Sequence, residues 1–93
     1  MFYVYILASK RNGTLYIGVT NNVAARLELH RNGHGSEFVD RYSVHRLVYA
    51  ESYSRAEEAI QREKQMKKWN RAWKMRLIER DNPEWRDLSD QLV

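Results

Sequence analysis

Residues 2–8, FYVYILA, and residues 14–20, TLYIGVT, decide the fold. Both are rich in β-branched and aromatic side chains, and Asn12-Gly13 between them accepts the positive φ of a tight reversal, so an antiparallel hairpin is predicted. Side chains alternate along a strand, which puts Phe2, Val4 and Ile6 on one face and Leu15, Ile17 and Val19 on one face of the partner. Any register that stacks these apolar sets places Tyr5 and Tyr16 together on the opposite surface, because a one-residue slip would bury the wrong face. Gly18 lies on that surface, and a missing side chain in a strand often marks close approach of a ligand or another backbone. The other reading is that the tyrosines pack under a helix for which Gly18 makes room, since aromatics are ordinary strand residues.

Working outward, Asn21 or Asn22 is a suitable N-cap for a helix over residues 23–31, VAARLELHR. Val23, Arg26, Leu27 and His30 then share one stripe, at i, i+3, i+4 and i+7. Arg26 and His30 stand one turn apart on the inward side, where an arginine loses hydration unless it meets an anion. Alternatively Arg26 snorkels beside a solvent-facing histidine. Ser54 and Glu57 read as a capping box opening a second helix over 55–69. Its stripe is Ala56, Ala59, Ile60, Glu63, Met66 and Lys67, with Glu63 in the middle of the apolar face. A half-buried carboxylate requires a cation, either Arg26 in a structural ion pair or a hard divalent metal completed by water and phosphate.

Residues 61–80 hold eight Lys or Arg against two acidic residues in a chain of formal net charge +4, so a basic segment sits on a slightly acidic remainder. That polarity points to a polyanion, with Lys64, Lys67, Lys68, Arg71 and Lys74 as candidate phosphate contacts, although a solvated helix face has the same pattern. Trp69 and Trp73 are interleaved with the charges and can stack on unpaired bases; the stripe Trp73, Leu77 and Ile78 makes core the favoured reading. Residues 32–44 form the longest loop, in which His34 reads as a surface residue between glycines. A third strand is predicted over 45–53 and a third helix over about 71–81, capped by Asn70 and stopped before Pro83. The tail folds back through Trp85 and Leu88.

These residues resemble the GIY-YIG endonuclease superfamily, specifically its small bacterial single-domain members. The correspondence runs from Tyr3-Val4-Tyr5 through Tyr16-Ile17-Gly18, Arg26, His30, Leu47-Val48-Tyr49 and Arg62-Glu63-Lys64-Gln65 to Lys67-Lys68-Trp69 and Asn82-Pro83. The resemblance implies a small sheet flanked by helices and divalent-metal-dependent cleavage of nucleic acid. It also implies that Tyr5 and Tyr16 position or deprotonate the attacking water, Arg26 holds the phosphate, His30 assists proton transfer, and Glu63 ligates the metal. Tyr3 stands where the family has its first glycine, and neither Asn70 nor Asn82 is assigned to the asparagine that some members carry after the glutamate helix.

Length and composition are consistent with one α+β domain over 1–93, a three-stranded largely antiparallel sheet flanked by helices in the order ββαβαα. The absence of cysteine excludes a disulfide framework, a thiolate metal site and a cysteine nucleophile. Tyr3 and Tyr5 interrupt the apolar run near the start, so neither a signal peptide nor a membrane span is expected, and the location expected is cytoplasmic. The function expected is an endonuclease hydrolysing DNA in preference to RNA with Mg²⁺ or Mn²⁺, a monomer by default. The alternative is a noncatalytic nucleic-acid-binding module on the same scaffold.

Overall fold

The hairpin forms where the alternation and the turn residues place it. In the computed structural model, which describes residues 1–33 and 37–92, β1 spans Phe2–Ala8 and β2 spans Leu15–Thr20. Tyr5 lies opposite Gly18, Ile6 opposite Ile17 and Leu7 opposite Tyr16. Asn12 takes the left-handed conformation at φ 59°, and the Ser9 amide and hydroxyl close the turn on Thr14. β3 (Arg46–Tyr53) pairs antiparallel with the other edge of β1, giving the sheet order β2-β1-β3. A bulge between Ile6 and Leu7 leaves Val48 as the extra residue on β3, so Leu47 and Tyr49 point to opposite faces.

Both faces of the sheet are covered, which is why Val4 to Ala8 of the central strand are fully buried. On one face α3 (Ala56–Lys68) and α4 (Arg71–Asp81) pack Ala59, Met66, Leu77 and Ile78 against Val4, Ile6, Ala8 and Ile17. On the other, α1 (Val23–Arg31) lays Val23 and Leu27 over Tyr5, Leu7 and Leu47. Asn22 caps α1 by accepting from the Ala25 amide at 3.1 Å, and Asn70 caps α4 by accepting from Trp73 at 2.9 Å. The predicted α+β architecture is thus observed, three antiparallel strands and three long helices, with four differences of detail.

First, a short helix α2 (Glu37–Tyr42) occupies part of the segment expected to be loop, because Val39 is fully buried and draws one turn onto the core. His34 lies outside the described residues. Second, the capping box does not form: Arg55 is the N-cap of α3, extended at φ −123° and ψ 138°, with no side-chain cap bond, and Glu57 meets Arg55 instead. Third, Trp73 is not core. It is 51 % exposed, while Leu77 and Ile78 fill the stripe it was expected to share, and Trp69 stays at the core margin beneath the Arg62 guanidinium. Fourth, Ile60 and Lys67 on the predicted apolar stripe of α3 are exposed, because the buried face is centred on Ala59 and Met66.

The tail returns as predicted. Trp85 is fully buried with its indole N–H on Glu79, and the Leu88 amide donates to the Leu47 carbonyl at 2.8 Å. Asn82 is the clasp: its Nδ2 donates to the carbonyls of Val48 and Arg86, and its Oδ1 accepts from the Arg86 amide.

Candidate active site

Tyr5 is placed by the central strand and covered by α1. A Cβ on Gly18 would lie 2.4 Å from the Tyr5 hydroxyl oxygen, so the glycine makes room for the phenol itself, neither for a ligand nor for a helix. From there the hydroxyl reaches His30 Nε2 at 3.1 Å. Both residues are fully buried. Tyr16, two pairs further along the hairpin, brings its ring within 6.3 Å of Tyr5 and edge-on to His30 at 5.4 Å. It is only partly buried and is therefore the phenol that solvent reaches.

Arg26 stands one turn before His30 on α1, near enough for its charge to act on the Tyr5 phenol. Among the described residues it forms no ion pair with a carboxylate, so its charge remains available to an anion. Burial raises Tyr5 well above the ordinary phenol range; Tyr16 adds to this, the nearby Arg26 guanidinium opposes it, and Glu63 raises it slightly further. Burial likewise lowers His30, with the positive charges of Arg26 and His45 acting the same way against a weaker upward pull from Asp40. Tyr5 is accordingly protonated and His30 neutral at physiological pH, which sets the direction of their hydrogen bond: Tyr5 donates to Nε2. The imidazole proton then resides on Nδ1, which has no hydrogen-bond partner among the described residues.

Glu63 arrives from α3. That helix is moored to β3 by Arg62, whose guanidinium meets Glu51 at 3.3 Å while Tyr49 donates to the same carboxylate. The cation beside Glu63 is Lys67, one turn on, at 3.6 Å, and not Arg26. With a side chain only 15 % exposed, the carboxylate is partly shielded from water yet still near enough to act on Tyr5. Of the five residues singled out from the sequence, Tyr5, Tyr16 and His30 meet directly, Arg26 stands one turn before His30, and Glu63 comes from the helix on the other face of the sheet with its charge acting on Tyr5.

Among the described residues no group of three or more His, Cys, Asp or Glu is placed to hold a metal ion. The donor set nevertheless suits a hard ion of the Mg²⁺ type, which takes one or two protein carboxylates and fills its remaining positions with water and substrate phosphate. Of the candidate phosphate contacts, Lys64 and Lys68 are exposed, Lys74 is half-buried, and Lys67 leans on Glu63. Arg71 has a structural engagement as well, with its guanidinium on the carbonyls of Asn12 and Gly13 at 2.7 and 2.5 Å. The sequence reading missed Phe38, whose ring lies 6.1 Å from that of Tyr16. The only signal for it was Phe38 and Tyr42 at helical spacing around Val39, too short a run to read as helix.

The family model of the GIY-YIG catalytic domain matches residues 1–76. The chain belongs to the GIY-YIG family. Membership of this nuclease family supports a nuclease-type function with DNA as the substrate class. Relatives include a UPF0213 protein of Bacillus licheniformis, 43% identical over 77 residues that cover 83% of this chain and 78% of that protein. Another is a UPF0213 protein of Staphylococcus haemolyticus, 40% identical over 77 residues, 83% of this chain and 93% of that one. The solution NMR structure of a UPF0213 protein of Bacillus halodurans superposes with a TM-score of 0.57 at 30% identity, covering 94% of this chain and 93% of that one. No helix among the described residues is long and apolar enough to cross a membrane.

Proposed function

We propose that this GIY-YIG chain is a divalent-metal-dependent endonuclease that hydrolyses phosphodiester bonds in DNA, acting in the cytoplasm. The observation that carries the reading is the buried Tyr5–His30 hydrogen bond with the solvent-accessible Tyr16 edge-on to the same imidazole and Arg26, in no ion pair among the described residues, one turn away on α1. A fold needs no such group for packing alone.

In this reading Arg26 holds the scissile phosphate and offsets the negative charge that develops on it. Tyr16 accepts a hydrogen bond from the attacking water and aims it at phosphorus. Tyr5 is too deeply buried to meet the water; its hydroxyl holds the His30 imidazole beside Tyr16. Neutral His30 is the nitrogen base of the cluster and assists proton transfer. Glu63 would hold Mg²⁺ or Mn²⁺, which when bound adds positive charge at the phosphate and acidifies water. Lys64, Lys67, Lys68, Arg71 and Lys74 would track the DNA backbone.

The Lys67–Glu63 ion pair favours a second reading, in which the carboxylate serves only its helix and the domain binds nucleic acid without cutting it. One experiment separates them. Single-stranded, duplex, branched and RNA substrates are incubated with Mg²⁺ or Mn²⁺ and with a chelator, using the parent and Tyr16→Phe. Metal-dependent cleavage that falls sharply in Tyr16→Phe is the expected result. Binding without cleavage across the whole panel would establish the binding module instead.

A further inference from the structure

The first 27 residues carry Lys10, Arg11 and Arg26 and no aspartate or glutamate. Lys10 and Arg11 stand at the tip of the hairpin between β1 and β2, both exposed and, among the described residues, in no ion pair. A hairpin tip is ordinarily the loose end of a sheet. This one is held twice. Within the turn, the Gly13 amide donates to the Lys10 carbonyl at 2.9 Å, and Ser9 closes on Thr14. From outside, Arg71 at the first position of α4 donates to the carbonyls of Asn12 and Gly13. A Cβ on Gly13 would lie 2.9 Å from Lys10 Cγ, so the lysine stem lies against the residue whose carbonyl Arg71 holds. Three cations are thereby gathered at one end of the sheet. Carbonyls leave the charge of Arg71 uncancelled, so repulsion among the three persists until an anion lies across the tip.

The tip also stands beside the open end of the site. Lys10 is three residues beyond Leu7, the partner of Tyr16, which at about 3.3 Å of strand per residue puts it about 10 Å from Tyr16 along the sheet. Each strand of a DNA duplex offers a phosphate about every 3.4 Å of axis, so that distance spans about three phosphates. We propose that Lys10 and Arg11, held in place by Arg71, form a clamp on the backbone of duplex DNA about three phosphates from the cut. Arg71 is the positioning residue of the clamp. The register to the cut rests on the nuclease reading above; the grip on the backbone does not.

The test is therefore made first on binding in chelator, by fluorescence anisotropy on labelled duplexes over a range of salt. Parent, Lys10→Gln/Arg11→Gln and Arg71→Lys are compared. The double variant changes exposed positions and should melt with the parent. It should lose affinity alike on unrelated sequences and show a log–log salt slope flatter by about 1.8, two contacts at about 0.9 each. Arg71→Lys keeps the charge and gives up the hold on two carbonyls; it should weaken binding by itself and have no further effect in the double variant. A double variant with the affinity and slope of the parent overturns the clamp, and so does a parent that does not bind the duplex. Arg71→Lys binding as the parent does overturns the part given to Arg71. If melting shows the double variant unfolded, Lys10→Gln and Arg11→Gln decide singly, each flattening the slope by about 0.9. The register is read on the DNA that the parent cuts, with one phosphate at a time made a neutral methylphosphonate. Parental cleavage should fall with the neutral group about three phosphates from the cut, and the double variant should be insensitive there. Equal sensitivity of both proteins at that position overturns the register. A flattened slope in proteins that never cut DNA leaves the clamp standing and removes the nuclease reading. Metal-dependent cleavage with an unaltered slope does the reverse.

Discussion

Glu63 carries the sharpest prediction at the scale of a single residue. Its ion partner is the exposed Lys67, and a pair of this kind on one helix contributes less than about 1 kcal/mol. Glu63→Gln keeps the shape of the side chain and should melt close to the parent, while retaining affinity for DNA in chelator and losing metal-dependent cleavage. A folded variant that cuts at the parental rate would remove Glu63 from the metal site. Had Arg26 been its partner, the same change would have left a shielded guanidinium uncompensated and lowered stability severalfold more. The ion-pair geometry thus makes stability and cleavage separable here, which the position of Glu63 on an apolar stripe did not guarantee.

Two structural elements, the hairpin and the basic helices, can be tested independently. In the hairpin, Gly18→Ala places a methyl group 2.4 Å from the Tyr5 hydroxyl, with the strand register fixed by pairing to β1. Tyr5 must shift, and overpacking of this sort costs about 1–3 kcal/mol. The melting temperature should fall, and cleavage should fall further than the unfolded fraction accounts for, since the bond to His30 is displaced. On the helices, Lys64, Lys68 and Lys74 are free of the engagements that occupy Lys67 and Arg71. Replacing all three by glutamine should weaken binding across DNA sequences, and every phosphate that is no longer neutralised should flatten the log–log salt dependence by about 0.9 on duplex DNA. An unaltered slope would assign these lysines to a solvated face.

For the whole molecule, the buried site is itself a pH-dependent element of stability. His30 is held neutral below its ordinary value of 6.5, chiefly by burial, so as pH falls the unfolded chain takes up a proton that the folded chain refuses. The contribution is complete above the unfolded value and is lost as pH drops toward the lower, folded one. Thermal melts should therefore show declining stability from about pH 7 downward, before most carboxylates titrate. His30→Gln, which can still accept from Tyr5, should flatten that part of the profile. If the two proteins have the same slope, His30 is not the group responsible.

Local chemistry was enough for much of this protein. Alternation in FYVYILA and TLYIGVT set which face each tyrosine occupies, Asn22 and Asn70 capped their helices, Pro83 ended α4, and one helical stripe aligned Arg26 with His30. These outcomes depend on neighbours a few residues apart, where periodicity and backbone preference dominate. Tertiary structure decided the rest: that Gly18 houses the Tyr5 phenol, that Glu63 leans on Lys67, that Trp73 faces solvent while Trp85 is buried, and that Asn82 clasps the tail to β3. α2 formed only because the core offered Val39 a place, and it carried Phe38 onto Tyr16. Each of these rests on contacts between distant segments, whose energies come from burial and from desolvated polar groups finding partners, and a linear pattern does not encode which distant partner is found.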